Sequence, residues 1–268
     1  MILADFHMHT EFSTDSEASM ESQIASAIEK GIKHLCFTDH MDYDYPVQYG
    51  GGFLFDMETY LARINEMKER YKKRIALYRG VELGMQPGLA ERCGSLVQGY
   101  PLDFVICSSH VVDGIDPYFP DFWKGRDEKS ALRRYFESIL ENIRMFEDFD
   151  IYGHLDYIIR YAPSGKREFS YSEYGDIIDE ILKSLIQKGK GIEINSGGYR
   201  CGLGHANPHE AIITRYCELG GELITIGSDG HKPEDLAYNY KKTGEMLLSL
   251  GIRYYAIYEN RTPVFLRI

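Results

Sequence analysis

The sequence is poor in cysteine. Its 268 residues include five cysteines, and no two of them form a CxxC pair. An odd set without close pairs indicates neither a disulfide framework nor a thiolate zinc site. Reduced thiols in a cytoplasmic protein fit this composition best.

Long apolar runs are also missing. The N-terminal residues MILADFH contain no basic segment followed by a long apolar stretch. No segment elsewhere reaches the roughly 18 consecutive apolar residues of a membrane span. We therefore expect a protein that is neither exported nor inserted in a membrane.

Positive charge is in the minority. The chain has 30 Lys and Arg residues against 41 Asp and Glu residues, for a formal net charge of -11. Such a chain repels nucleic-acid phosphates instead of binding them by counterion release. We expect no nucleic-acid partner, and no feature of the sequence indicates an obligate protein partner. Bound cations could match part of the negative charge, because the formal count omits them.

What the sequence does contain is a regular alternation of short β-rich runs and longer helical patterns, which is typical of βα units around a parallel sheet or barrel. Strands are predicted at residues 2–9, 34–38, 75–82, 103–109, 151–154, 191–195, 223–228 and 254–258. Helices are predicted at residues 20–30, 58–73, 129–147, 171–188, 208–219 and 233–250. With 44% hydrophobic residues and no internal repeat or linker, the chain is predicted to form a single α/β domain over residues 1–268.

Two long connections interrupt this rhythm. Residues 41–56 contain three consecutive glycines and several tyrosines, and residues 111–127 contain four aromatic side chains. Long loops in a compact domain are more often functional than accidental. They could also simply cover the mouth of a barrel.

Histidines recur at one structural position in this pattern. That position is the C-terminal end of a predicted strand or the loop just after it, and three carboxylates, Asp15, Glu82 and Asp229, also lie there. Six of the nine histidines lie at or just past the C-terminal end of a predicted strand: His7, His9, His40, His110, His154 and His231. Active sites of α/β barrels are built at that end of the strands. A single histidine here would more often be packed or solvated, but recurrence in successive βα units favours a metal site.

The first two of these histidines can share one ion. His7 and His9 are two residues apart in a strand, so their side chains point to the same face as that of Asp5. Imidazole and carboxylate ligands without thiolate suit zinc, manganese or iron. His34, His205 and His209 are assigned no chemistry, although His205 also lies on the C-terminal side of its strand.

Six short motifs occur in order along nearly the whole chain: DFHMH at residues 5–9, TDH at 38–40, GVE at 80–82, SH at 109–110, GH at 153–154 and SDGH at 228–231. Together they resemble the successive motifs of the polymerase and histidinol phosphatase (PHP) phosphoesterases. The resemblance implies a distorted TIM-like (β/α)7 barrel, with one of the eight predicted strands outside the closed barrel. It also implies three divalent metal ions, with zinc favoured over manganese or iron.

The resemblance also assigns ligands. The first ion would be held by His7, His9, Glu82 and Asp229, the second by Glu82, His110 and His154, and the third by Asp15, His40 and His231. Many relatives place a histidine where this chain has Asp15, but a carboxylate can serve there too. Glu82, Asp229 and His231 would be the catalytic ligands. A bridging Glu82 would hold two ions about 3.5–4 Å apart, the spacing that generates a bridging hydroxide as nucleophile for phosphate ester hydrolysis.

Within that family, the residues 153–160, residues 193–196 and the long loop after His40 look more like histidinol phosphatases than like the shorter phosphoesterases. This implies L-histidinol phosphate as the substrate, in histidine biosynthesis. Arg160 and Arg200 are the candidates for phosphate binding, since a guanidinium contacts phosphate with two nitrogens. Asp42 and Tyr43 could receive the ammonium and imidazole groups, or could equally be solvated loop residues.

Two other functions stay open from the sequence. One is a PHP phosphoesterase that acts on another small phosphate, such as a nucleoside bisphosphate. The other is a metal-binding regulatory or scaffold protein without turnover, although the complete set of ligands argues against it.

Overall fold

The computed structural model describes residues 1–165 and 169–268. Its strands are β1 (Ala4–Asp5), β2 (His34–Phe37), β3 (His40–Met41), β4 (Ala76–Gly84), β5 (Phe104–Ser108), β6 (Ile151–Tyr152), β7 (Gly191–Asn195), β8 (Ile224–Gly227), β9 (Tyr254–Glu259) and β10 (Thr262–Arg267). Its α-helices are α1 (Met20–Glu29), α2 (Met57–Tyr71), α3 (Ala90–Gly99), α4 (Pro120–Trp123), α5 (Glu128–Met145), α6 (Tyr171–Gln187), α7 (Gly197–Arg200), α8 (Glu210–Glu218) and α9 (Tyr240–Ser249). Short 3-10 helices lie at Val47–Tyr49, Tyr157–Tyr161 and Pro233–Asp235. None of the helices in these two ranges is long and apolar enough to cross a membrane.

The first eight strands form one parallel sheet that curls into a barrel. The order is β1-β2-β4-β5-β6-β7-β8, and both β2 and β3 pair with β4, so that they occupy one barrel position between them. The first and last strands meet where the Phe6 N–H donates to the Ile226 carbonyl at 3.0 Å and the Asp229 N–H donates to the His7 carbonyl at 2.7 Å. Seven strand positions therefore surround the axis, which confirms the predicted α/β barrel.

The eighth predicted strand lies outside this barrel, as the family resemblance implied. It is β9, which pairs antiparallel with β10 in a separate two-stranded sheet. Strand β10 was not predicted, because it reads as an exposed chain end with no apolar alternation that would distinguish it. The side chains of β9 from Tyr255 to Tyr258 are buried, and the Tyr258 ring lies 5.1 Å from that of Phe104 in β5.

The helices cover the outside of the barrel with one apolar face each. In α6, buried side chains recur at Ile177, Ile178, Ile181, Leu182 and Leu185, the three-to-four residue spacing of an amphipathic helix. Helices α2 and α5 begin after aspartate N-caps, whose carboxylates accept an N–H of the first turn. These local signals explain why the sequence located both helices to within about two residues.

Two stretches depart from the predicted helices. Helix α3 was missed, because Gly94 in its interior and Gly99 at its end weaken the helical pattern. Residues 233–239 were predicted to be helical but form a 3-10 turn and a loop, and α9 begins only at Tyr240. Ala237 and Asn239 both have φ 52, outside the right-handed helical region. The Ala237 N–H donates to the buried Asp5 carboxylate at 3.0 Å, so a tertiary contact overrides the local helical preference.

Candidate metal centre

The proposed ligands meet at the C-terminal end of the barrel. His7 and His9 follow β1, Glu82 lies near the end of β4, and His110 and His154 follow β5 and β6. His40 begins β3, and Asp15, Asp229 and His231 reach the same mouth from the loops after β1 and β8. Because all the parallel strands end at one face, they bring together residues that are far apart in the sequence. His7 and His231, for example, are 224 positions apart.

Glu82 is at the centre of this cluster and is fully buried. Its Oε1 atom lies 3.2 Å from His110 Nε2 and 3.1 Å from His154 Nε2. Its Oε2 atom lies 3.1 Å from His7 Nε2 and 3.0 Å from His40 Nδ1. The two carboxylate oxygens thus face two different pairs of imidazoles, which is the arrangement that a bridging ligand requires.

Overlapping groups of side chains are close enough to hold metal ions, with their ligand atoms within 4.8 Å of one another. The groups are His7, His9 and Glu82; Glu82, His110 and His154; His9, His40 and His231; and His40, Asp42 and His110. Asp229 Oδ1 lies 3.3 Å from His9 Nε2, beside the first group. Asp15 Oδ2 lies 3.2 Å from His231 Nε2 and 3.7 Å from His40 Nε2, beside the third. The first three groups overlap with the three sets that the family resemblance implies, but they do not include Asp229 or Asp15, and the third also contains His9.

The chemistry of these atoms fits divalent cations. Several buried atoms of the proposed ligands have no hydrogen-bond partner among the described residues: His7 Nε2, His9 Nε2, His40 Nδ1 and Glu82 Oε2. Buried polar atoms are almost always paired in folded proteins, because an unpaired one loses its hydration without compensation. Imidazole and carboxylate lone pairs that face the same small space are compensated when they bind a shared cation. This set of nitrogen and oxygen donors suits zinc.

Two carboxylates that are not among the proposed ligands orient two of the imidazoles. Glu193 Oε1 lies 2.6 Å from His7 Nδ1, and Asp42 Oδ2 lies 2.6 Å from His110 Nδ1. A carboxylate that accepts the Nδ1–H fixes the ring and directs Nε2 at the metal. Sequence reasoning gave Glu193 no role. A buried glutamate within the apolar strand β7 is the signal that could have found it.

The charges of the cluster are strongly coupled. Burial disfavours the charged form of His40, but the carboxylates of Glu82, Asp15 and Asp42 outweigh it and raise the pKa of His40 to about 9. Burial also disfavours ionisation of Glu82, yet the neighbouring His7, His110 and His40 hold its pKa well below the usual range. Asp229 behaves in the same way as Glu82: its pKa stays well below normal despite burial, because His7 and His9 lie beside it.

An aromatic cleft of about 350 Å³ opens above the cluster. Both long loops supply its walls: Tyr45, Tyr49 and Phe53 come from the first loop, and Asp116, Tyr118 and Phe119 from the second. The loops also contact each other, since the Tyr49 and Phe119 rings stack at 4.2 Å and the Tyr45 hydroxyl donates to Asp116 at 2.5 Å. They therefore form the binding cleft as well as covering the barrel mouth.

Arg160 lines this cleft beside the metal ligands. Its guanidinium lies 4.8 Å from the Tyr157 ring centre and 4.9 Å from that of Tyr161. Its Nε atom is buried without a hydrogen-bond partner, and within residues 1–165 and 169–268 no carboxylate forms an ion pair with it. A cationic group that is held by two rings and not neutralised is suited to an anionic ligand.

The other proposed substrate residues are placed differently. Arg200 donates to the backbone carbonyls of Ser228 and Asp229 at 3.1 and 2.7 Å, so it braces the loop that carries a ligand. The Tyr43 ring lies 3.9 Å from the Arg92 guanidinium and does not line the cleft. Asp42 does line the cleft, but one of its oxygens is occupied by His110.

The fold and the cluster define an α/β-barrel protein with a multinuclear metal centre. The PHP domain model matches residues 5–197, and the chain belongs to the PHP family. This confirms the resemblance seen in the motifs.

Several individual proteins are similar to this chain over most of its length. A probable histidinol-phosphatase of Clostridium acetobutylicum is 36% identical over 93% of this chain and 94% of its own length. The histidinol-phosphatase of Lactococcus lactis is 31% identical over 85% of this chain and 83% of its own length. The crystal structure of histidinol phosphate phosphatase from L. lactis, complexed with zinc, L-histidinol and phosphate, superposes with a TM-score of 0.91 at 28% identity and covers 97% of this chain and 98% of that one.

Proposed function

We propose that this chain is a zinc-dependent histidinol-phosphatase, which hydrolyses L-histidinol phosphate to L-histidinol and phosphate in histidine biosynthesis. The observation that carries the proposal is the close match, over nearly the full length of both chains, to a protein whose structure holds zinc, L-histidinol and phosphate. The metal cluster lies at the base of an aromatic cleft in this chain, which supports the same conclusion independently. We further propose that residues 1–268 form one domain that works in the cytoplasm.

Three sets of residues would hold the ions. They are His7, His9, Glu82 and Asp229; Glu82, His110 and His154; and Asp15, His40 and His231, as the family resemblance implies. When bound, the ions would supply a nucleophile from water at neutral pH and neutralise charge on the phosphate oxygens. The contribution of the chain is to fix the ligand geometry through Glu193 and Asp42, and to keep Glu82 and Asp229 ionised.

We assign the phosphate contact to Arg160. It lies in the same cleft as His110 and His154, with its planar group already oriented by Tyr157 and Tyr161. Little conformational freedom remains to be lost when it binds an anion, so more of the binding energy is retained. Arg200 is less suited, because two of its donors are occupied by backbone carbonyls.

We assign the substrate ammonium to Asp116. This carboxylate lines the cleft and accepts hydrogen bonds from the Tyr45 hydroxyl and the Tyr118 N–H, at 2.5 and 2.8 Å. Burial raises the pKa of Asp116, and none of the described Lys and Arg residues pairs with it. An ammonium group would compensate that burial by stabilising the ionised carboxylate. Asp42, the acidic residue favoured by the sequence, acts instead through His110.

Two substitutions should separate these roles. Asp116→Asn is expected to raise KM for L-histidinol phosphate by roughly 10- to 100-fold, the effect of losing a charged hydrogen bond. It should leave the hydrolysis of p-nitrophenyl phosphate nearly unchanged, because that ester has no ammonium group. Arg160→Lys is the matched control and should impair both esters, because both carry the phosphate. Steady-state kinetics with the two substrates would contradict the assignment if Asp116→Asn affected them equally.

The overall proposal is tested by ranking substrates. With zinc-loaded protein, L-histidinol phosphate should be hydrolysed with kcat/KM well above nucleotides, sugar phosphates and p-nitrophenyl phosphate, although the last has the better leaving group. The reason is that contacts to the remote part of a substrate can be used in the transition state. Faster hydrolysis of a nucleoside bisphosphate would mean that the chain is a PHP phosphoesterase with a different substrate. The absence of any turnover would indicate a metal-binding protein instead.

A further inference from the structure

His9 differs from the other central ligands in what holds its ring. The Nδ1 atoms of His7 and His110 face carboxylates, whereas His9 Nδ1 faces the Ser13 hydroxyl at 3.0 Å. A hydroxyl can either donate or accept a hydrogen bond, so this contact alone does not determine which nitrogen of His9 carries the proton. The surroundings of Ser13 determine it.

The proton of Ser13 is directed at Asp39. Ser13 Oγ lies 2.7 Å from Asp39 Oδ1, and that same oxygen accepts the backbone N–H of Thr10 at 2.6 Å. A backbone N–H can only donate, so Oδ1 is the acceptor in that bond, and an ionised carboxylate has no proton of its own to give. With Asp39 ionised, Ser13 therefore donates to Oδ1.

The remaining hydrogen-bond positions of Ser13 are acceptors. The backbone N–H of His40 donates to Ser13 Oγ at 3.1 Å and occupies one of its two lone pairs. The other lone pair faces His9 Nδ1, which must then carry the proton. Ser13 and Asp39 are 1% and 0% exposed, so water does not compete for these positions.

The consequence reaches the metal cluster. With the proton on Nδ1, the lone pair of neutral His9 is on Nε2. That atom lies 3.5 Å from Glu82 Oε2 and 3.3 Å from Asp229 Oδ1, and it has no hydrogen-bond partner in residues 1–165 and 169–268. It is the nitrogen that faces the proposed first ion.

We propose that Asp39 and Ser13 form a positioning pair that holds His9 in the Nδ1–H tautomer and directs the lone pair of Nε2 at the metal cluster. Neither residue was assigned a role from the sequence, although Asp39 lies within the TDH motif at residues 38–40. The proposal rests on the metal centre described above but does not depend on which phosphate ester is hydrolysed.

The tautomer itself can be measured in the wild-type chain. Full-length, zinc-free protein labelled with 15N-histidine should show, in two-bond 1H–15N correlation spectra, a protonated Nδ1 and an unprotonated Nε2 for His9. The His9 signals are identified by their loss in a His9→Gln variant. A His9 ring protonated on Nε2 in the wild-type protein would overturn the proposal, whatever any variant does.

The effect of the pair on metal binding is tested at Ser13. Ser13→Ala is expected to populate the Nε2–H tautomer and to weaken zinc binding by about 10- to 100-fold in chelator competition, as is usual when a partner behind a ligand is removed. Ser13→Thr, which keeps the hydroxyl, should restore both. Ser138→Ala is the matched control, since Ser138 is also buried but its hydroxyl, among the described residues, donates only to the Tyr135 carbonyl at 2.7 Å.

Two results separate this proposal from the proposed function. If folded Ser13→Ala binds zinc as tightly as wild type, or keeps the Nδ1–H tautomer, the pair does not position His9. If Ser13→Ala does not fold, the wild-type spectrum and Ser13→Thr decide the question. A chain with the expected tautomer and zinc affinity that fails to hydrolyse L-histidinol phosphate would refute the function and leave the positioning pair intact.

Discussion

Replacing Glu82 with Gln is expected to lower kcat for L-histidinol phosphate by roughly a thousandfold or more, while the barrel remains folded. The two oxygens of Glu82 face four imidazole nitrogens at 3.0–3.2 Å, so this one side chain serves both halves of the cluster. A glutamine keeps the shape but offers one neutral acceptor and an amide that repels a cation. The electrostatic contribution of a catalytic ion is worth several kcal/mol, and each 1.36 kcal/mol is a factor of ten in rate.

The measurement is kcat at saturating substrate and zinc, with circular dichroism to verify the fold. Glu69→Gln is a suitable control, because Glu69 is an exposed helix residue that pairs with Lys72 alone in the part of the chain that the structure describes. Elemental analysis of both proteins should show fewer bound ions in Glu82→Gln alone. Turnover close to that of wild type would mean that Glu82 does not bridge two ions.

Most of the barrel was predictable because its signals are local. A buried parallel strand is a short apolar run between turn residues, and β7 was predicted at its observed bounds for this reason. The wrong start predicted for the last helix, α9, has a different origin. Residues 233–239 look helical in isolation, but the loop is held open by the contact of Ala237 with Asp5, which lies 232 residues away. No local pattern contains that information.

The metal centre was predictable for a related reason. A side chain at the C-terminal end of a parallel strand lies at the barrel mouth whatever the details of the fold, so His7, Glu82 and His154 could be grouped from their positions alone. The residues that support them could not be grouped in this way. The role of Asp39 depends on the hydroxyl of Ser13, and that of Asp116 on how two long loops fold against each other.

Loop residues were the least predictable. Tyr43 and Asp42 are adjacent in sequence, yet one packs against Arg92 and the other reaches His110. Arg160 and Arg200 both follow strands at the correct end of the barrel, but Arg160 lines the cleft, and its Nε has no partner among the described residues. Charge and residue type select candidates of this kind, and the path of the loop decides between them.

Zinc binding should release more than one proton per chain near neutral pH and should weaken steeply as the pH falls. Burial disfavours the charged forms of His40 and His110, but carboxylates around them, Glu82 and Asp42 among them, raise the pKa of His40 to about 9 and that of His110 well above normal. The pKa of His7 is raised in the same way: burial opposes the charged form, but Glu193 and Glu82 outweigh it. In the metal-free protein these imidazoles are therefore protonated at about pH 7.5, and each must lose its proton before it can bind a cation.

The sign and size of the effect follow from this competition. Raised imidazole pKa values favour the proton over the metal at low pH, so the apparent zinc affinity should fall by up to about tenfold per pH unit for every proton displaced. Titration calorimetry in two buffers with different ionisation enthalpies measures the number of protons released. His34→Asn should leave that number unchanged, because His34 lies at the opposite end of the barrel, and burial lowers its pKa. Heats that do not depend on the buffer would show that zinc binding releases no protons. The ligand imidazoles would then already be neutral in the metal-free protein, and the carboxylates around them would not keep them protonated.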